Sequence, residues 1–551
     1  MTLQFTSTQY VPEETARVAR TIYPKGNLAM AIRDQLYCVY DDQTLARLYP
    51  DQGQPAESAW RLALVSVLQF AENLSDRQAA EAVRDRISWK YLLGLELTDQ
   101  GFDASVLSEF RKRLVEGEAE CHLLNWLLSW LQQMGLLKSR GRMRTDATHV
   151  LARIRTLNRL TLVGETLRYA LNELAKVVPD WLRSQVDATW YERYGRRVED
   201  YRLPTAESER EALAQSIGVD GFALLTKLAG ASLPIAWQDL PAIQALQQVW
   251  AQQYDLSQPG PIRWRLTKEL PPAAELIQSP YDLEARYAIK REDTAWIGYK
   301  LHLTETCDTD NPRLITHVHT TLATTPDEQA LAPIHDALQA RGLLPSQHVV
   351  DEAYGDSIQL VDSQTRYGVT LLGPVPANTS WQAKAAQGFA ASDFAVDWDT
   401  HTLTCPAGQR SVSWTPNHDR HGNRLIRVRF SRTACTACAL RLQCTRSTTG
   451  PRSVTLQLQP QQQALLAARQ HQATDAFKAD YAARAGIEAT LGQAVSLGVG
   501  RRTRYRGLLR TRLQHILMAV AINIIRVIAW FNDQPPAPTR HSAFSALAQP
   551  S

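Results

Sequence analysis

Apolar residues in the first part of the chain recur at the spacing of helices with one buried face. Between residues 60 and 71 they fall three and four positions apart, at Trp60, Ala63, Leu64, Val67, Leu68 and Ala71. Ser75 with Gln78 three positions later has the pattern of a capping box, in which side chains satisfy free N–H groups at a helix start. The sequence therefore predicts an all-helical N-terminal domain over residues 1–137.

A run of different character follows at Arg144–Val150, which has a strand-like pattern and carries one carboxylate, Asp146. From residue 151 to about 254 the spacing is helical again, and the proline- and glycine-rich stretches at 258–261 and 270–272 are typical of linkers. A lone strand followed by so much helix indicates an insertion. We therefore assign residues 138–150 to the first strand of a second domain and residues 151–284 to a helical insertion.

Strand patterns resume after the insertion and alternate with helices. The sequence predicts strands at 295–306 and 314–322, a helix at 327–340, a strand ending at Asp351, a helix at 358–365 and a strand at 369–372. With the first strand, this is the order of a ribonuclease H-like sheet, which residues 285–375 continue. In that order Asp146 lies midway along the first strand and Asp351 at the carboxyl end of the fourth, on neighbouring strands.

Four of the seven cysteines cluster within residues 376–460, a region of short strands rich in serine and threonine. Cys435 and Cys438 have the CxxC spacing that lets two sulfurs of one turn reach a tetrahedral ion, with Cys444 after them and Cys405 upstream. A structural zinc ion is the favoured interpretation, because four cysteine ligands leave no open position for catalysis. Free buried cysteines and a redox pair are the alternatives.

The C-terminal region returns to helix. Predicted helices at 461–469, 474–496 and 508–531 complete the second domain as residues 461–531, and the four prolines within 532–551 indicate a disordered tail. Arg484 and Tyr481 precede Glu488 by four and seven positions, so all three are expected on one face of the middle helix. They form either a surface ion pair with an amphipathic tyrosine, or phosphate contacts beside a metal ligand.

Basic residues cluster at several points. Arg501, Arg502, Arg504, Arg506, Arg510 and Arg512 follow one another without an acidic residue between them, which indicates phosphate binding. Basic and aromatic residues also alternate at 88–91 and 109–114 of the N-terminal domain. These runs favour either a helix-turn-helix-like reader of phosphates or a solvated helical face.

Composition adds limits to this picture. A chain of 551 residues is long enough for several domains of roughly 100 to 200 residues each. The formal net charge of +4 does not by itself indicate a nucleic-acid partner, so a basic surface has to come from clustering. The first ten residues have no signal-peptide pattern, and the uncharged apolar run at 516–525 is shorter than the ~20 residues of a membrane span. We expect a cytoplasmic protein without a membrane partner.

Three carboxylates are candidates for catalysis. Phosphoryl transfer on DNA is served by two divalent ions, one activating the attacking oxygen and one stabilising the leaving oxygen. Magnesium-like ions prefer oxygen ligands, and carboxylates from separate elements supply them. Asp146, Asp351 and Glu488 occur on a strand, a strand end and a helix in the order that such a site requires. We therefore interpret them as one metal-binding set, with Glu352 and Asp356 as alternatives to Asp351.

These residues resemble a known family. Tyr481, Arg484 and Glu488 have the spacing of the Tyr-Arg-Glu signature of bacterial insertion-sequence DDE transposases. The sequences around Asp146, around Asp351 and at 296–300, the cysteine cluster, and Gly507 with the helix after it are similar to landmarks of the same group. The helical region from about 35 to 114 is similar to that group's N-terminal domain. The resemblance covers most of the chain, but not the insertion at about 164–279 or the tail.

The resemblance implies a ribonuclease H-like core dependent on Mg²⁺ or Mn²⁺, and cut-and-paste movement of a bacterial element. It implies that Asp146, Asp351 and Glu488 bind the metal, that Tyr481 and Arg484 contact the transposon end, and that a homodimer assembles on DNA with its terminal repeats and target. One position departs from the family, since Val495 replaces a signature lysine. A non-catalytic zinc-containing DNA-binding protein and a structure-selective nuclease of the same fold are the alternative functions.

Overall fold

The computed structural model describes residues 2–36, 40–231, 233, 236–255, 262–291, 294–385, 387–420, 422–535 and 544. Contacts divide the chain into two units. Unit 1 comprises Met1–Leu137, Ala147–Thr325 and Glu488–Ser551, and unit 2 comprises Lys138–Asp146 and Pro326–Ile487. The tail predicted at 532–551 lies mostly outside the described residues.

The N-terminal part of unit 1 is helical, as predicted, apart from a two-residue parallel pairing of β1 (Thr2–Leu3) with β2 (Pro55–Ala56). The capping box is confirmed, because Ser75 and Gln78 bond to each other's backbone N–H groups at the start of α5. The helices are α1 (Glu13–Ile22), α2 (Leu28–Ala31), α3 (Asp42–Leu45), α4 (Ala59–Ala71), α5 (Asp76–Asp85), α6 (Ile87–Leu93), α7 (Ala104–Glu116) and α8 (His122–Gln133).

The basic and aromatic runs at 88–91 and 109–114 are predicted either to bind phosphates or to face solvent. Both predictions are wrong for Lys90 and Arg111. Lys90 is 2% exposed, and its ammonium group donates to the Asp99 carbonyl at 2.5 Å. Arg111 is 6% exposed, pairs with Asp76 and lies over the Tyr505 ring. These cations therefore hold the helices together and face neither phosphate nor solvent, because a buried charge needs a partner inside the protein.

The middle of unit 1 is a helical layer with its own apolar core. Tyr254 and Trp250 pack against glycines of one long helix, Gly218 and Gly221, where no space is left for a side chain. The helices are α9 (Arg159–Val177), α10 (Pro179–Gln185), α11 (Ala188–Tyr194), α12 (Glu207–Ala229) and α13 (Pro241–Gln253), followed by the short strands β4 (Tyr254–Asp255) and β5 (Arg263–Trp264).

Unit 1 also contains an antiparallel sheet in which β7 (Thr294–Thr306) pairs with β6 (Arg286–Arg291) and β8 (Ile315–Leu322). The long C-terminal helix packs on β8, where the buried Asn523 side chain exchanges two 2.8 Å hydrogen bonds with the Ile315 backbone. That helix, Leu508–Phe531, is the only one in the described part of the chain with the length and apolarity to cross a membrane, and 78% of its most apolar window is buried within the protein. Burial of this kind is typical of a core helix.

Unit 2 contains a parallel sheet. The strands β9 (Gln347–Val349) and β10 (Thr370–Leu372) pair with each other, and β9 pairs on its other side with the first residues of β3 (Arg142–Leu151). Helices α14 (Leu331–Ala340) and α15 (Ser357–Tyr367) connect the strands, close to their predicted bounds. A 3₁₀ turn at Glu352–Tyr354 follows Asp351.

The cysteine-rich part of unit 2 is built from two small antiparallel sheets, β11 with β12 and β13-β14-β15. Their inner faces enclose an apolar core that includes Val428, Leu403 and Phe430, with Cys405, Cys435 and Cys444 at its edge. The elements are α16 (Trp381–Ala385), β11 (Ala395–Asp397), β12 (Thr402–Thr404), β13 (Ser413–His418), β14 (Arg424–Arg429), α17 (Arg432–Thr436), α18 (Arg441–Cys444) and β15 (Ser453–Leu456).

The C-terminal helices are α19 (Gln459–Gln472), α20 (Asp475–Tyr481), α21 (Gly486–Ser496) and α22 (Leu508–Phe531). The single helix predicted at 474–496 is wrong, because a 3₁₀ segment at Ala482–Ala485 separates α20 from α21. Tyr481, Arg484 and Glu488 thus lie on three successive elements and not on one helix face. The tighter winding of a 3₁₀ turn changes the direction of each side chain relative to an α-helix.

Candidate active site and nucleic-acid contacts

Asp146 lies on β3 of unit 2, and Asp351 follows the end of the neighbouring strand β9 by two residues. The register pairs Arg144 of β3 with Val349 of β9, and each aspartate comes two residues further along its strand direction. Level residues on neighbouring parallel strands point to the same face of a sheet. The predicted proximity of these two carboxylates is therefore confirmed.

Arg484 lies between the two carboxylates. Its Nη2 atom is 3.0 Å from Oδ2 of Asp146 and 3.4 Å from Oδ2 of Asp351. The side chains of Arg484 and Asp146 are 17% and 13% exposed, whereas that of Asp351 is 42% exposed. The other Asp351 oxygen accepts the Glu352 N–H at 2.9 Å, which fixes the carboxylate at the start of the 3₁₀ turn. One cationic group is thus shared by two carboxylates at a site open on the Asp351 side.

Tyr481 borders this carboxylate pair. Its ring stacks on Phe477 with centroids 5.4 Å apart, and both rings pack against Val349 and Leu372. Burial raises the pKa of Tyr481 to about 12, although the nearby Arg484 opposes the shift. The phenol is therefore neutral at pH 7 and can donate a hydrogen bond.

The segment that carries Tyr481 and Arg484 is fastened to the strand that carries Asp146. Arg142 donates to the Asp480 carbonyl at 3.2 Å, and Arg144 donates to the Ala483 carbonyl. Both carbonyls lie next to or within the helix break at 482–485, where side chains commonly bond the C=O groups of a helix end. Neither contact follows from the sequence pattern, in which both arginines are simply strand residues.

A buried chain of polar groups supports the carboxylate pair from within the sheet. Thr145 Oγ1 lies 2.7 Å from His348 Nε2, and His348 Nδ1 lies 2.9 Å from His335 Nε2. Burial lowers the pKa of His348 well below its usual value and that of His335 to about 4, so both rings are neutral at pH 7. Sequence reasoning missed this chain, because a lone histidine in a strand carries no pattern.

Glu488 lies in the first turn of α21, at the start of the part of that helix that belongs to unit 1, and its side chain is exposed. The next turn is anchored to the core of unit 1. Thr490 donates to the fully buried Glu305 at 2.6 Å, and Arg526 of α22 bonds both Glu305 at 2.9 Å and Thr490 at 2.6 Å. The helix that presents Glu488 therefore starts from a fixed position within that unit.

The arginines after α21 have different environments. Arg501 and Arg502 are exposed on an extended segment whose backbone pairs with Leu151 at the end of β3, and Arg506 is exposed over the Tyr281 ring. Arg504 instead donates to the Leu74 carbonyl at 2.6 Å and lies over a phenylalanine ring. The Arg504 guanidinium is therefore bonded within the protein, whereas the exposed side chains of Arg501, Arg502 and Arg506 are available to a ligand.

The four clustered cysteines line one pocket and have free thiols. The Cys405 sulfur accepts the Gln409 N–H at 3.4 Å, and burial raises the pKa of the Cys444 thiol, with the neighbouring cysteines adding to the shift. Across the described parts of the chain, no three or more His, Cys, Asp or Glu side chains are grouped so that they could hold a metal ion. The cysteines converge without forming a ligand set in this structure.

Two family models match the chain. Residues 404–528 match the family described as transposase DDE domain, and residues 22–113 match the family described as transposase domain (DUF772). No curated protein matches the chain significantly. A mixed α/β structure that includes a transposase DDE domain fits the predicted ribonuclease H-like core. Both matches are to transposase families, and they support the resemblance of the chain to insertion-sequence DDE transposases.

Proposed function

We propose that the protein cleaves DNA at the ends of its own insertion sequence and joins the freed 3′ hydroxyl to target DNA. The observation that carries this proposal is the Asp146 and Asp351 pair, level on neighbouring parallel strands and sharing one cationic group. Two carboxylates this close repel each other unless a cation lies between them. A site that holds a guanidinium in this position has the charge and the oxygen donors to hold a divalent ion.

DDE transposases generally use divalent metal ions. We propose Asp146 and Asp351 as ligands of Mg²⁺ or Mn²⁺, with Glu488 as the third carboxylate on the strength of its motif match. The ions would activate the attacking oxygen and stabilise the leaving oxygen. Carboxylate oxygens suit such hard cations, and the 42% exposure of the Asp351 side chain gives an ion and a phosphate access to the pair.

Arg484 and Tyr481 are proposed to contact the transposon end. A guanidinium can bond a phosphate in a bidentate manner, and Arg484 would make this contact once it no longer neutralises the two aspartates. Tyr481 would donate its phenolic hydrogen to the same phosphate region, because its pKa of about 12 keeps it protonated. The bonds from Arg142 and Arg144 hold this pair beside the carboxylates.

Further phosphate contacts are proposed for Arg501, Arg502 and Arg506, which are exposed. Arg504 was part of the same predicted cluster, and its bond to the Leu74 carbonyl favours a structural role for it. The partners would be terminal inverted repeats and target DNA, bound by a homodimer because two ends must be cut.

A structural zinc ion is proposed for Cys405, Cys435, Cys438 and Cys444, since all four line one pocket. The absence of a grouped ligand set among the described residues means that the thiols would have to close around the ion. Binding of this type couples to local folding, because thiolates surrounded by apolar side chains are stabilised by the metal.

The test of the proposed function is Asp146→Asn in the full-length protein. We expect lost cleavage of DNA carrying the element's end, with end binding retained in a gel-shift assay. Glu352→Gln is the matched control, because it neutralises an exposed carboxylate beside Asp351 and is expected to leave cleavage intact. A wild-type protein that binds ends but never cuts with Mg²⁺ or Mn²⁺ would be a non-catalytic binder. Equal cutting of branched DNA without the repeats would identify a nuclease.

A further inference from the structure

The sheet β13-β14-β15 in the cysteine-rich part of unit 2 has one face in the core and one in solvent. On the central strand, Ile426 and Val428 are buried, whereas Arg427 and Arg429 are exposed. Cross-strand partners share a face, so the solvent face can be read from the register. It carries Arg427 between Thr415 and Thr455, Arg429 between Ser413 and Ser453, and the pair of Asn417 with Leu425 near one end.

This face is cationic and has no acidic residue on it. Residues 401–458 contain nine arginines and one aspartate, although the whole chain has a net charge of only +4. The aspartate, Asp419, lies after β13 and bonds to Asn423 of the same turn. Among the described residues, neither Arg427 nor Arg429 has an ion-pair partner.

The two arginines are spaced for a polyanion. Residues two apart on a strand stand about 7 Å from each other. Since one DNA strand carries a phosphate for about every 3.4 Å of helix axis, two guanidinium groups at this separation can contact two different phosphates of the same strand. Four hydroxyl residues flank them. The Thr415 hydroxyl donates to the Arg427 carbonyl at 3.1 Å, and the hydroxyls of Ser413, Ser453 and Thr455 can donate hydrogen bonds to phosphate oxygens. The aromatic Trp414 is in register with Val428, on the opposite, core-side face, so no aromatic ring lies on the solvent face to stack on a base.

We propose that the solvent face of β13-β14-β15 binds the sugar-phosphate backbone of DNA without reading its sequence. The inference rests on the proposed DNA transposase function and adds to it a second contact surface, separate from the carboxylate pair. Charge complementarity favours this occupant, since two unpaired guanidinium groups among hydroxyls match phosphates and not an apolar protein surface.

The test is the double variant Arg427→Ala with Arg429→Ala in the full-length protein, measured by fluorescence anisotropy on end DNA and on unrelated DNA. Loss of two phosphate contacts should reduce the slope of log K against log salt by about 2. The loss of affinity between 50 and 200 mM salt should then shrink by about tenfold, equally for both DNAs. The variant with lysine at both positions should keep the wild-type slope, because the charge is retained.

Arg17→Ala with Arg183→Ala is the matched control, since it removes two exposed arginines on helices and the same net charge. An unchanged slope in the β14 variant, or an equal change in the control, overturns the proposal. The proposal is also overturned if the Arg427→Ala with Arg429→Ala variant loses self-association or binding to an acidic peptide while keeping its DNA affinity. If the wild-type protein binds no DNA at all, the proposed function fails, and this result is distinguishable from a normal wild type with an insensitive variant.

Discussion

Arg484 and a divalent ion compete for the same two carboxylates, so removing the arginine should strengthen metal binding by the free protein. We consider Arg484→Gln, which keeps a polar side chain and removes the positive charge. The Arg484 Nη2 atom lies 3.0 Å from Oδ2 of Asp146 and 3.4 Å from Oδ2 of Asp351. An ion entering between these aspartates has to break or weaken both contacts.

The size of the expected gain in metal affinity follows from the burial of the Arg484–Asp146 ion pair. A charge-assisted hydrogen bond of a mostly buried pair contributes about 1.5–3 kcal/mol, and the Arg484–Asp146 pair is of this kind. The contact to Asp351 contributes little beyond this, because that side chain is 42% exposed and solvent screens it. Removing the competition should therefore raise the affinity for Mn²⁺ by about tenfold to a hundredfold.

The assay is Mn²⁺ titration followed by the electron paramagnetic resonance signal of the free ion, in the absence of DNA. Arg484→Lys is the control, because it keeps the charge at the site and should change the affinity much less. The same Arg484→Gln protein should bind end DNA more weakly. Mn²⁺ affinity that is unchanged or lower in Arg484→Gln would refute the idea that the guanidinium occupies the place of an ion.

Three further outcomes are expected. Arg526→Ala should lower the free energy of unfolding by about 3–5 kcal/mol in chemical denaturation, because it removes the cationic partner of the fully buried Glu305 carboxylate. His515 is buried with its pKa lowered to about 3, so its neutral form stabilises the fold above pH 6.5 and this contribution is lost as the pH falls. The contribution of His515 to the free energy of unfolding should be about 2 kcal/mol smaller at pH 5 than at pH 7. His515→Gln should therefore reduce the difference in stability between these two pH values. Metal analysis should find about one zinc per chain, absent when Cys435 and Cys438 are both replaced by serine; a value near zero in wild-type protein purified without chelator would contradict the zinc proposal.

Much of the carboxylate pair could be predicted from the sequence, because strand order alone decides which strand ends are neighbours. The strand with Asp146 and the strand ending before Asp351 are both recognisable from their patterns, and their parallel pairing makes the aspartates level. The long apolar helix Leu508–Phe531 was predicted with its observed bounds for a similar reason, since its periodicity extends over many turns.

The structural features that the sequence pattern does not predict depend on tertiary contacts. The 3₁₀ break at Ala482–Ala485 has no proline or glycine within it, and it is held by arginines from a strand far away in the sequence. Lys90 and Arg504 read as exposed cations, yet carbonyl groups from other segments bind them. Whether a cation in a helix or loop meets solvent or a carbonyl is decided by packing, which local spacing does not record.

The bonds from Arg142 and Arg144 to the carbonyls of Asp480 and Ala483 have a mechanical consequence. Side chains of the strand that carries Asp146 bond backbone carbonyls next to the turn that carries Arg484, so the two segments are tied to each other. Tension on bound DNA would therefore be passed to the sheet and not absorbed by a flexible loop. The cleaved phosphate would then stay at the same distance from the carboxylates while the DNA is under tension.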